Sequence, residues 1–99
     1  MNILGIDPGL GNTGYGIISH NSQTINLVDY GVIKTSTKDN LAKRLKIIFD
    51  QVSNLINLHQ PSVFSIEEVF YSNNIKSSLL LGHARGVAIA AASVQDLVV

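Results

Sequence analysis

Residues 3–16 read Ile-Leu-Gly-Ile-Asp-Pro-Gly-Leu-Gly-Asn-Thr-Gly-Tyr-Gly, an apolar run that stops on Asp7 and then passes through a proline and several glycines. Acids are depleted from strands, so Asp7 is placed where a strand leaves its sheet, facing water, ligand or metal. Pro8 and Gly9 behind it fix a tight turn and leave little bulk around the carboxylate, so a phosphate or a hydrated cation can approach closely. An ordinary hairpin turn with a capping aspartate has the same composition. The stretch therefore becomes informative only together with a second site.

Working outward, the first strand is Asn2 to Asp7, a second covers residues 15–19 after the glycine turn, and residues 20–23 are a polar hairpin. A third strand over residues 24–34 carries Ile25 and Leu27 and then, in a looser alternation, Tyr30 and Val32. The chain thus opens as a three-stranded antiparallel meander. Thr37 or Asp39 is positioned to cap a helix over residues 40–58, in which Leu41, Leu45, Ile48, Val52, Leu55 and Ile56 step by three and four. Lys43, Arg44 and Lys46 of that helix read as a solvated face.

Pro61 ends the region. Residues 62–67, Ser-Val-Phe-Ser-Ile-Glu, form a short strand again terminated by acids, Glu67 and Glu68. A polar loop over residues 71–76 leads to a second helix over residues 77–93, whose Gly82, Ala84, Gly86, Ala88 and residues 90–92 make a smooth surface for its own sheet or a second subunit. Residues 97–99 read as the first half of a further strand. The layout is α/β with parallel neighbours, the last strand incomplete.

If the first helix is the crossover between the meander and the strand ending at Glu67, that strand runs parallel to the first and can lie beside it. Both acids then leave the carboxyl ends of neighbouring strands, where open α/β sheets place their sites. Strand parity selects the partner of Asp7. Asp7 shares a face with Gly5, and Glu67 with Ser65, whereas Glu68 points the other way as a solvent or supporting carboxylate. Two close carboxylates repel unless protonated or bridged by a cation, and oxygen donors without His or Cys suit Mg²⁺ or Mn²⁺. Two unrelated strand-terminal acids are the alternative. His20, His59 and His83 show no ligand pairing among themselves.

Composition narrows the classes. Ninety-nine residues with 45% hydrophobic side chains make one small domain with a modest core. The absence of cysteine excludes disulfides and thiolate zinc sites and fits a reducing, cytoplasmic setting. The apolar start, ending at Asp7, is too short for a signal peptide or a membrane span, so no membrane partner is expected. Seven Lys and Arg balance seven Asp and Glu, so net charge alone announces no nucleic acid.

Asp7 with its turn, the continuation Thr13-Gly14-Tyr15-Gly16, the run Ile66-Glu67-Glu68-Val69-Phe70 and the stretch from Leu81 to Ala88 together closely resemble the RuvC family of Holliday junction resolvases. That resemblance implies an RNase H-like mixed sheet in strand order 3-2-1-4-5 with flanking helices, of which residues 1–99 are the N-terminal portion of a single nuclease domain. It implies Mg²⁺-dependent cleavage of four-way junction DNA in recombination and repair, with Mn²⁺ as a substitute. It also implies a homodimer and cooperation with the RuvA-RuvB branch-migration complex. Carried over, Asp7 and Glu67 are catalytic metal ligands and Phe70 is an aromatic near the crossover; Lys76 and Arg85, which flank the segment after the second acidic site, are expected DNA contacts. The family's remaining acids lie beyond the fifth strand, so impaired cleavage by this chain is expected. The Gly-Ile-Asp-Pro-Gly turn also resembles the first phosphate loop of actin-like ATPases, and a non-catalytic junction-binding or dimerisation module is a third reading.

Overall fold

The computed structural model describes residues 1–68 and 74–97. Its elements run β1 (Asn2–Asp7), β2 (Asn12–His20), β3 (Ile25–Lys34), α1 (Leu41–His59), β4 (Val63–Ile66) and α2 (Ile75–Val94). The sheet has the order β3-β2-β1-β4, antiparallel through the meander and parallel between β1 and β4. Four of the five expected strands are thus in place. The fifth falls largely on Val98 and Val99, outside the described residues, and Leu97 instead donates its N–H to Ala92 O at 3.1 Å in closing α2.

The sheet buries one face. Leu4 and Ile6 of β1, Ile17 of β2, Ile33 of β3 and Phe64 of β4 alternate toward the helices and meet Ile48, Val52, Leu55 and Ile56 of α1. The apolar residues that mark the third strand in the sequence, Ile25, Leu27, Tyr30 and Val32, lie exposed on the opposite face. Their loose alternation has a physical cause: Ile17 pairs with Asp29 but Ile18 with Leu27, leaving Val28 as the extra residue of a β-bulge. A bulge shifts the two-residue period by one. At the same strand His59 Nε2 lies 3.1 Å from Asp29 Oδ2, joining the end of α1 to the sheet.

Helix boundaries follow their caps more than their charge pattern. Asn40, not Thr37 or Asp39, caps α1, its side chain accepting from Lys43 N. Asp39 pairs with Lys43 instead. Likewise Asn74 accepts from Ser77 N, so α2 begins at Ile75 and Lys76 stands in its first turn, not in the preceding loop. The smooth face of α2 is largely interior: Ala84, Ala88, Ala91 and Ala92 are buried, and α2 packs mainly on α1 rather than directly on the sheet. A substitution such as Ala88→Arg would therefore disrupt the monomer before any interface. By length and composition α2 is apolar enough to cross a membrane; in this fold its alanine face is part of the core.

Candidate functional site

The parallel ladder of β1 and β4 positions the two acids. Gly5 pairs with Ser65 and Ile6 with Ile66, and Glu67 N–H donates to Ile6 O at 3.2 Å, so the chain delivers Asp7 and Glu67 to the same level of adjacent strands. Neighbouring strands lie roughly 4.8 Å apart. Because Ile6 and Ile66 are drawn into the apolar layer, their successors emerge on the uncovered face.

That face is almost bare around the acids. An open groove of about 430 Å³ is lined by Asp7, Glu67, Ser65, Gly5, Gly14 and Gly16, together with Ile6, Tyr15 and Gly31. Gly5 pairs with Gly16 and Asp7 with Gly14, so the floor beside the carboxylates is backbone. A Cβ on Gly14 would sit 3.6 Å from the Cβ of Asp7 and wall off the acid. This pairing also explains why β2 starts at Asn12 and not, as its composition predicts, at Tyr15: Gly14, which reads as a turn residue, is a ladder residue here.

The turn after Asp7 is held closely. A side chain at Gly9 would run into the carbonyl of Asn12. Thr13, only 1% exposed, donates its hydroxyl to Gly9 O at 2.6 Å. Thr35 donates to Leu10 O at 2.5 Å and accepts from Arg44 Nε at 2.9 Å. Thr13, Thr35 and Arg44 were not legible as site residues. Arg44 had a signal, lying three residues after Leu41 and four before Ile48, on the edge of the apolar stripe and not with the solvated lysines.

Glu68 is separated from the pair. It borders a different groove with Gly82, Arg85 and Gly86. Arg85 donates its Nε to the carbonyl oxygen of Glu67 at 2.8 Å, which ties α2 to the strand end carrying that acid. Lys76 is exposed, and Phe70 lies outside the described residues. Among the described residues there is no group of three or more His, Cys, Asp or Glu fit to hold a metal. The pair nevertheless suits a hard cation: two exposed carboxylates, no nitrogen or sulfur donor, and open space for water to complete the shell.

The family model described as crossover junction endodeoxyribonuclease RuvC matches residues 3–99. The chain belongs to the RuvC family. Curated RuvC relatives include those of Alkaliphilus metalliredigens, 43% identical over 97% of this chain and 58% of the relative, and of Caldicellulosiruptor saccharolyticus, 46% identical over 90% and 54%. The chain thus spans a little over half the length of the relatives it matches. Among solved structures, Thermus thermophilus RuvC in complex with a Holliday junction substrate superposes with a TM-score of 0.89 at 25% identity, covering 98% of this chain and 60% of that one. The yeast mitochondrial Holliday junction resolvase Ydc2 shares the fold, with a TM-score of 0.70 at 18% identity over 94% of this chain and 44% of that one. Family membership thus favours the resolvase reading of the Gly-Ile-Asp-Pro-Gly turn over the ATPase phosphate loop.

Proposed function

We propose that this chain forms the acid-bearing sheet of a nuclease domain that recognises four-way DNA junctions and hydrolyses phosphodiester bonds in recombination and repair. The supporting observation is the β1–β4 register, which sets Asp7 beside Glu67 on a face otherwise floored by glycine. Asp7 and Glu67 would hold Mg²⁺, or Mn²⁺ in its place. When bound, such a cation polarises a phosphoryl oxygen and acidifies water. The two carboxylates fix where that charge sits, and the backbone floor at Gly14 and Gly16 admits a bulky phosphodiester that side chains would exclude.

Phe70 is assigned the stacking role: an aromatic beside a crossover can stack on an unpaired base, worth about 1–3 kcal/mol. Lys76 and Arg85 supply phosphate contacts from α2. Glu68, on the opposite side of the strand end from Asp7, is a supporting carboxylate near Arg85. A homodimer would use the outward side of α2, where Leu79, Gly82, His83 and Gly86 are not part of the buried alanine layer. A two-fold interface repeats the same patch on both subunits. The setting is cytoplasmic, with RuvA-RuvB as partners.

Competition binding tests this reading. A labelled four-way junction in Ca²⁺ buffer is expected to stay bound when linear duplex of the same sequence is added in tenfold excess. Equal displacement by the duplex, or binding of ATP in equilibrium dialysis with no junction binding, would set the proposal aside.

A further inference from the structure

We propose that Arg44, acting through the Thr35 hydroxyl, is a positioning residue for the turn that follows Asp7, which rests on the reading of Asp7 as a cation ligand. Residues 8–11 are Pro-Gly-Leu-Gly and have no polar side chain with which to hold themselves. Their carbonyls are held from elsewhere. Thr13 Oγ1 donates to Gly9 O at 2.6 Å, Thr35 Oγ1 to Leu10 O at 2.5 Å, and Thr35 N–H to Gly11 O at 3.0 Å.

The Thr35 bond to Leu10 depends on which way one proton points. A threonine hydroxyl has a single O–H and two acceptor lone pairs, and it rotates to suit its neighbours. Arg44 Nε is a donor only and sits 2.9 Å from Thr35 Oγ1, so it takes a lone pair and turns the proton away from itself, toward Leu10 O. A charged donor also polarises the hydroxyl and strengthens the bond it makes next. The guanidinium lies over the turn, its terminal nitrogen 3.7 Å from where a Cβ on Gly11 would be.

Arg44 belongs to α1, and its neighbour one turn on, Ile48, is fully buried. The turn is thereby referenced to the packed helix layer and not only to its own hairpin. At the second acid the contact is direct, since Arg85 Nε donates to the Glu67 carbonyl at 2.8 Å. An arginine Nε thus reaches the chain beside each acid, from α1 through Thr35 to the turn after Asp7 and from α2 directly to Glu67. Lysine does not substitute for this, because its ammonium is a mobile point charge without a fixed fork.

The experiment compares Arg44→Met, Arg44→Lys, Thr35→Val and Thr35→Ser with the parent chain. It reads amide hydrogen exchange at Gly9 and residue 35, and Mn²⁺ affinity by electron paramagnetic resonance. Arg44→Met, Arg44→Lys and Thr35→Val are expected to speed exchange at both amides by about tenfold and to weaken Mn²⁺ by about tenfold, the lower end for groups that orient a ligand from outside the coordination sphere. Thr35→Ser, which keeps the hydroxyl, should restore both. Unchanged exchange in Arg44→Met and Thr35→Val overturns the proposal, as does Arg44→Lys behaving like the parent. If Mn²⁺ binding in the parent is indifferent to Asp7→Asn, the metal reading fails, while the exchange measurements still decide the role of Arg44.

Discussion

Incubated with Mg²⁺ and a labelled four-way junction, the chain is expected to cleave at least about a hundredfold more slowly than the Alkaliphilus metalliredigens relative assayed beside it. The reason is positional. Two-metal hydrolysis needs both ions fixed relative to the scissile phosphate, with attacking and leaving oxygens in line, and misplacement by about 1 Å costs roughly a hundredfold. Asp7 and Glu67 are two carboxylates, and the described residues bring no third acid to them. Water would then have to supply most of the coordination sphere, leaving an ion held by these two acids loosely placed. Balanced charge, seven cations against seven anions, adds little phosphate attraction to compensate. Nicking at a rate similar to the relative would show that the acids assigned here are not the ones that limit cleavage.

Phe64→Ala is expected to destabilise the fold by about 3–5 kcal/mol, the range for truncating a buried aromatic. Phe64 is 1% exposed and is the largest of the fully buried side chains. It also belongs to β4, the short strand that ends just before Glu67, so the cavity opens directly behind the site. Since domains of this size have only about 5–15 kcal/mol of stability, Tm should fall by roughly 15–30 °C in a thermal melt followed by circular dichroism. A loss of under about 1 kcal/mol would mean that β4 is not packed as described.

The parts of this architecture legible in the sequence were those set by the backbone's own periods. Gly5-Ile6-Asp7 and Ser65-Ile66-Glu67 share a two-residue rhythm, and the pleat converts that rhythm into a shared face. The sequence alone therefore pairs Asp7 with Glu67 and not with Glu68. The stepping of Leu41, Leu45, Ile48 and Val52 likewise sufficed to place α1.

Less legible were features that depend on contacts distant in sequence. Gly14 reads as a turn residue, because its place in β2 comes from pairing with Asp7 across the hairpin. The bulge at Val28 showed only as a faltering alternation. By charge Arg44 groups with Lys43 and Lys46, yet those lysines pair with acids one turn away while Arg44 reaches Thr35. Asn40 caps α1 in place of Thr37 or Asp39, and Asn74 starts α2 early enough to bring Lys76 from the expected loop into the helix.

Asp7 and Glu67 are proposed to hold a divalent cation together, and a Mn²⁺ titration followed by electron paramagnetic resonance tests this most directly. The parent chain should take up Mn²⁺ weakly. The double variant Asp7→Asn, Glu67→Gln should lose that uptake while keeping its circular dichroism spectrum, and Glu68→Gln should retain it. An isotherm that is the same for the parent and the double variant would contradict the account.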